Sequence, residues 1–127
     1  MGRYYSGDIN GKFMFGVQPS NAPERFGCRD DNATTIHYSI DKDDIDICKN
    51  ELDNIKNNVK ELFDIDIDEI HKKYYEEKDQ FELSKYMNDK AKKLKDTFYS
   101  EFADYLLGMK IYNCLLENGE CVFDADI

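Results

Sequence analysis

The chain has 127 residues, of which 41% are hydrophobic and 17 are aromatic, nine Tyr and eight Phe. That size and composition predict a single domain over residues 1–127 with one hydrophobic core, and they exclude a chain that is disordered throughout. The net charge is −10 at pH 7, and all of it follows residue 40, because residues 1–40 hold four basic and four acidic side chains. Such a field repels phosphate groups, so we expect no direct nucleic-acid partner.

The distribution of apolar residues and cysteines bears on where the protein acts. No stretch approaches the roughly 20 apolar residues of a membrane span, and the first residues lack the apolar run of a signal peptide. We therefore expect no membrane partner and a cytoplasmic location. In a reducing compartment, widely spaced cysteines are expected to be free thiols packed as small hydrophobic side chains. The chain has four of them: Cys28, Cys48, Cys114 and Cys121.

Residues 3–18 carry the pattern of a β-hairpin. Asn10-Gly11 is the dipeptide typical of a two-residue type I′ turn, and the flanking segments are rich in aromatic and β-branched residues. This register places Tyr4, Ser6 and Asp8 on one face with Phe13, Phe15 and Val17, and it predicts that this face is buried apart from Asp8 near the turn.

Residues 19–33 contain both prolines and no periodicity, which predicts a long loop. Long loops in compact domains are often functional. Arg25 and Arg29 lie in this loop. They suggest an alternative function, in which the loop forms a pocket for a nucleotide-like ligand and the two arginines contact its anionic group.

A strand and a helix are predicted next. Ile36, Tyr38 and Ile40 alternate with polar residues over 34–40, which indicates a third strand. Residues 43–62 then show the apolar spacing of a helix, with Asp41 as its N-cap. The apolar stripe comprises Ile45, Cys48, Leu52, Ile55, Val59 and Leu62.

The segment Asp64-Ile-Asp-Ile-Asp68 begins like a calcium-binding loop. Glu69 stands where that loop needs glycine and Tyr75 where it needs a bidentate glutamate, so an EF-hand is excluded. A looser divalent-cation site is the less favoured alternative to a solvated connector that caps a short second helix.

The last part of the chain predicts a long helix and a strand. The helix begins at Asp79, with Glu82 as a capping-box partner, and ends at Asn118-Gly119. The strand 120–127 places Cys121, Phe123, Ala125 and Ile127 on one face and is expected to pair with the N-terminal hairpin. The predicted stripe of the helix comprises Met87, Ala91, Leu94, Phe98, Phe102, Tyr105, Met109, Tyr112 and Leu116.

Together these elements predict an α+β fold with a small antiparallel sheet and two to three helices packed on one face. Residues Gly2 to Phe13, Phe15 to Gln18, Leu107 to Cys114 and Asn118 to Phe123 resemble the termini of uncharacterised proteins of phages and large DNA viruses. The resemblance implies a viral context, in which small acidic proteins often inhibit host machinery, and the host-cell cytosol as the location. It implies no activity and no site.

No motif for catalysis or for a cofactor is present. The four cysteines and two histidines include no CxxC and no HxxxH, so we expect no enzyme activity, no metal and no cofactor. The strongest feature is acidity, with eleven acidic residues against four lysines over 41–69. Solubility alone would explain that charge.

We interpret the charge instead as that of a non-enzymatic binding protein that docks on a basic surface of a host protein. In this hypothesis docking inhibits the host protein, and the inhibition serves evasion of host defence. The candidate partner-binding residues are Asp43, Asp46, Asp53, Asp64, Asp66 and Asp68.

Overall fold

The computed structural model describes residues 4–12, 22–30 and 36–126. Within them the chain forms an antiparallel sheet in the order β2-β1-β5-β4-β3, with helices packed on one face, so the predicted α+β fold is confirmed. The strands are β1 (Tyr4–Gly7), β2 (Gly11–Lys12), β3 (Arg29–Asp30), β4 (Ile36–Asp41) and β5 (Glu120–Asp126).

Four α-helices and several single turns of 3₁₀ helix complete the described part of the chain. None of the helices in the described residues is long and apolar enough to cross a membrane. The α-helices are α1 (Ile45–Phe63), α2 (Ile67–Glu77), α3 (Asp89–Lys93) and α4 (Lys95–Asn118). The 3₁₀ turns are Ala22–Phe26, Lys42–Asp44, Lys78–Gln80 and Leu83–Tyr86.

The predicted first helix and terminal strand are confirmed. The Asp41 side chain accepts a hydrogen bond from the Asp43 N–H and opens the 3₁₀ turn that leads into α1. Gly119 ends α4 in the left-handed conformation, with φ of 79°, and the chain passes directly into β5. Four members of the predicted α1 stripe are buried, whereas Leu62 is exposed and Phe63 is buried in its place.

The strand β5 lies at the centre of the sheet, between β1 and β4. Its inner face carries Cys121 and Phe123, and the Phe123 ring lies 5.6 Å from that of Tyr38 and 5.9 Å from that of Tyr5. The predicted pairing of the terminal strand with the N-terminal hairpin is therefore correct.

The helix α4 runs through the middle of the core. Every residue from Phe102 to Gly108 is buried, because the sheet covers one side of the helix and α1 the other. A helix that is covered on all sides has no single apolar stripe. The predicted stripe members Leu94 and Leu116 are exposed, since Leu94 lies before α4 begins and Leu116 lies in its last turn.

The predicted start of the long helix at Asp79 is wrong. Two 3₁₀ turns occupy this region, and Phe81 stacks on Phe102 with 5.7 Å between ring centroids. Asn88 starts α3, since its side chain accepts from the Ala91 N–H and donates to the Phe63 carbonyl at 2.6 Å. Burial of the Phe81 ring and the cap formed by Asn88, which the Phe63 carbonyl of α1 holds in place, thus outweigh the capping-box pattern.

The predicted hairpin register is also wrong. Tyr5 pairs with Gly11, so five residues, Ser6 to Asn10, lie between these partners instead of a two-residue turn. The buried ring is that of Tyr5 rather than that of Tyr4. Beyond Gly7 the chain continues along β5. The Asp8 N–H donates to the Val122 carbonyl, and the Val122 N–H donates to the Asp8 carboxylate, both at 2.9 Å. Those bonds to a distant strand replace the two-residue turn.

The predicted loop 19–33 is ordered where it is described. Residues 22–26 form a 3₁₀ turn with Ala22, Pro23 and Phe26 buried, and β3 pairs with β4. The predictions for residues 13–21, 31–35 and 127, and for the side chains of Arg29 and His37, lie outside the described part of the structure.

Candidate functional site

Acidic side chains converge where α1 begins. The sheet register places Glu120 of β5 directly opposite Asp41 of β4, and both residues are exposed. We call the cluster formed by Asp41, Asp43, Asp44, Asp46 and Glu120 the acidic pole. Three of its members line a groove of about 180 Å³ together with Ser39, Ile40 and Val122.

Local structure holds the acidic pole in place. The Lys42 N–H donates to the Gly119 carbonyl at 2.9 Å, which ties the start of α1 to the turn before β5. Acidic residues are also favourable here, because the partial positive charge of a helix N-terminus attracts them. The acidic pole is therefore compatible with a stable fold. Lys42 is the one basic residue in positions 41–46, so the charge of this segment is negative.

The six predicted partner-binding residues do not form one surface. Asp43 and Asp46 belong to the acidic pole, and Asp53 is exposed in the middle of α1. Asp64 lies beyond the far end of α1, so roughly 27 Å separates it from Asp46 at 1.5 Å of rise per residue.

The predicted residues beyond α1 have structural partners. Asp64 closes α1 in a left-handed conformation, and a hydrogen bond from Lys60 at 3.1 Å lowers the pKa of its carboxyl. Asp66 caps α2 by accepting from the Asp68 N–H, and Asp68 accepts from the Tyr105 hydroxyl at 3.2 Å. The segment thus serves as a connector that caps the next helix. The described residues contain no group of three or more His, Cys, Asp or Glu side chains arranged to hold a metal ion.

Arg25 is enclosed by carboxylates. Its guanidinium donates to Asp104 at 2.8 Å, to Glu101 at 2.9 Å and to Glu51. Burial opposes the charged form, but the hydrogen bonds that Arg25 donates to Glu101, Glu51 and Asp104 outweigh burial and raise the pKa of Arg25. This environment is negative and disfavours an anionic group, so the geometry does not favour Arg25 as a ligand contact in the alternative pocket.

Sequence reasoning missed this cluster and the Asp41–Glu120 pair. Asp104 is 7% exposed at its side chain and stands in an otherwise apolar run of α4. A buried carboxylate requires a hydrogen-bonding or charged partner. That requirement was the one signal in the sequence that pointed to an ion cluster at Asp104. It did not identify Arg25, which is 79 residues away along the chain.

The thiols and the described histidine are shielded. All four cysteines are free and buried, and burial raises the pKa of the Cys48 thiol to about 12 and also raises those of Cys28 and Cys121. A buried thiol with a raised pKa is a poor nucleophile. Burial lowers the pKa of His71, whose ring packs edge-on against Tyr75 and Tyr105.

The chain matches no protein-family model, no curated protein and no solved structure. The resemblance of the termini to phage and viral proteins therefore stays an expectation. The acidic pole is the feature on which a function can be based, since Arg25 is enclosed by carboxylates and the thiols are shielded.

Proposed function

We propose that the protein is a non-enzymatic binding protein that docks on a basic surface of a partner protein through its acidic pole. The observation that carries this proposal is the convergence of residues 41–46 with Glu120, which lies more than 70 positions later in the chain. If a viral context holds, the partner is a host protein and docking inhibits it.

The physical basis is electrostatic steering. A cluster of like charges on one face attracts an oppositely charged surface and raises the association rate, and salt screens the attraction. The Debye length falls from about 10 Å at 0.1 M salt to about 3 Å at 1 M. Binding through the acidic pole should therefore weaken steeply as salt is added.

The alternative is a binder of a small nucleotide-like ligand at Arg25 and Arg29. Its weakness is that Arg25 already holds three carboxylates. A buried pocket would also be much less sensitive to salt than an exposed acidic surface.

Partner capture at two salt concentrations tests the proposal. The substitutions Asp43→Asn, Asp46→Asn and Asp53→Asn should slow and weaken capture of basic partners, and 0.5 M NaCl should abolish it for the unmodified chain. A control with Glu76→Gln, Asp79→Asn and Glu82→Gln makes the same change in net charge at exposed positions on α2 and after it.

The control should bind like the unmodified chain, and circular dichroism should show all variants folded. Binding that survives the first triple substitution and 0.5 M NaCl, but is lost on Arg29→Ala, would reject docking and favour the ligand-binding alternative. Arg29→Ala is the cleaner probe of that alternative, because Arg25 also stabilises the fold.

A further inference from the structure

Two of the four cysteines lie on either side of the turn that joins α4 to β5. Cys114 is one helical turn before the end of α4, and Cys121 is the second residue of β5. Gly119 ends the helix between them in the left-handed conformation, and β5 then packs against α4. Both side chains point into the core, with Cys114 5% exposed and Cys121 fully buried.

Hydrogen bonds hold the Cys114 sulfur beside the backbone of Cys121. The Cys114 thiol donates to the Glu120 carbonyl at 3.4 Å, and the Asn118 side-chain amide donates to the Cys114 sulfur at 3.6 Å. The Glu120 carbonyl carbon is bonded directly to the Cys121 nitrogen. The Cys114 thiol is also a hydrogen-bonding neighbour of the Cys121 thiol. The fold therefore brings these two sulfur atoms together.

Cys114 is the member of the pair that a small molecule reaches first. It lines a groove of about 230 Å³ between α4 and the segment that follows β1, where Asn10 and Lys110 are among its neighbours. Cys121 lies beneath it on the inner face of the sheet. Cys48, by contrast, is fully buried, and its thiol donates to the Gly108 carbonyl in the middle of α4.

We propose that Cys114 and Cys121 are an oxidation site, at which hydrogen peroxide converts the two free thiols into a reversible disulfide. The free thiols described above are the reduced form of this site. The inference is independent of docking through the acidic pole.

The chemistry balances in two steps. The Cys114 sulfur attacks one oxygen of the peroxide, the O–O bond breaks, and the thiol proton leaves with the other oxygen as water. The Cys121 sulfur then attacks the resulting sulfenic acid. An S–S bond forms, the S–O bond breaks, and the proton of Cys121 leaves with the hydroxyl group as a second water. Two thiols are oxidised by two electrons, and one peroxide is reduced to two waters.

Burial and proximity have opposite effects on the rate. Burial raises the pKa of the Cys121 thiol and makes its reactive thiolate rare, so the reaction should be slow. The second step is intramolecular, however, and a high effective concentration favours it over loss of the sulfenic acid. The product would join α4 to the central strand of the sheet by a covalent bond.

Peptide mass spectrometry of the oxidised chain tests the inference without any substitution. The reduced, folded protein is treated with excess hydrogen peroxide, alkylated in urea and digested with trypsin. No lysine or arginine follows Lys110, so one peptide, 111–127, holds both cysteines. It should be two hydrogens lighter and unalkylated, and cleavage after Glu117 should leave its two parts joined until dithiothreitol is added. Cys28 and Cys48 should both be alkylated.

Thermal unfolding measures the consequence for the fold. The disulfide closes a short loop and restricts the unfolded chain, so the melting temperature should rise by roughly 5–10 °C on oxidation and return with dithiothreitol. Cys28→Ala with Cys48→Ala is the matched control, and it should still form the disulfide. In Cys121→Ala, dimedone should trap a sulfenic acid on Cys114. Circular dichroism checks that each variant is folded.

Three results would overturn the inference. Four alkylated cysteines, in a sample whose methionines are oxidised, would show that the peroxide acted and that the pair did not react. A bond between Cys28 and Cys48, or one between two copies of the chain, would show that the turn at Gly119 does not select the pair. A disulfide that leaves the melting temperature unchanged or lowers it would show that the native fold does not accommodate the bond.

Discussion

Gly108 allows α4 to approach two other elements closely, and substitution by alanine tests this packing. A Cβ atom at position 108 would lie 2.7 Å from the Leu52 Cδ2 and 2.7 Å from the Phe26 Cζ, and nearer still to the Phe26 Cε1. Ordinary carbon contacts are about 3.5–4.0 Å. Phe26 is fully buried and Leu52 is 7% exposed, so neither side chain has free space to move into.

The expected sign is opposite to that of an ordinary helical glycine. Replacing glycine by alanine inside a helix stabilises it by about 1 kcal/mol, whereas overpacking a tight core costs about 1–3 kcal/mol. With the overlap spread over two buried side chains, we expect the steric cost near the upper end of that range. Gly108→Ala should then lower the free energy of unfolding by about 2 kcal/mol, or the melting temperature by roughly 6–10 °C for a chain of this size.

Urea unfolding followed by circular dichroism measures this change, and a double-mutant cycle identifies its cause. Phe26→Leu makes room beside position 108, so Gly108→Ala should cost at least about 1 kcal/mol less in that background than in the unmodified chain. A stabilised Gly108→Ala variant, or strict additivity in the cycle, would refute the close approach of α4 to the Ala22–Phe26 turn.

Three further outcomes are expected. Arg25→Met should lower the free energy of unfolding by about 2 kcal/mol, because three largely buried carboxylates lose the arginine that they contact. Arg25→Lys should lower it by less. Urea unfolding measures both changes, and an Arg25→Met variant as stable as the unmodified chain would contradict the ion cluster. Burial lowers the pKa of His71 below the 6.5 of the unfolded chain. Below pH 6.5 the unfolded state therefore binds more protons than the folded state, and the free energy of unfolding should decrease as the pH is lowered. His71→Phe should remove that part of the pH dependence, and parallel stability curves for the two proteins would argue against it. All four thiols should react slowly with Ellman's reagent in the native state and completely in urea, whereas a denatured, non-reduced count below four would indicate a disulfide.

Local signals explain what the sequence predicted well. The carboxylate of Asp41 and the backbone freedom of Gly119 act within a few residues of their own positions. The start of α1 and the passage from α4 into β5 therefore follow from neighbouring residues. The apolar stripe of α1 was readable for a similar reason, since only one side of that helix meets the core.

Long-range partners explain what the sequence did not predict. The turn after β1 is set by Val122, which is 114 residues from Asp8, and Arg25 meets Asp104 across 79 residues. The middle of α4 has no single apolar stripe because residues 102–108 are covered on all sides. Within the acidic surface, the sequence did identify Asp43 and Asp46. It did not reveal that Glu120 joins them, because the register of β4 with β5 depends on the whole fold.

The central position of β5 has a consequence for how the protein is made. β1 and β4 gain their shared partner only when residues 120–126 have been synthesised, and the Ser6–Asp124 pair closes a loop of roughly 120 residues. During translation, the Tyr5 and Tyr38 rings therefore lack the Phe123 ring that both of them contact until β5 emerges from the ribosome. We expect the β2-β1 and β4-β3 pairs to join into one sheet only after residues 120–126 have been made, and a chain that stops before Glu120 to expose unpaired strand edges that favour aggregation.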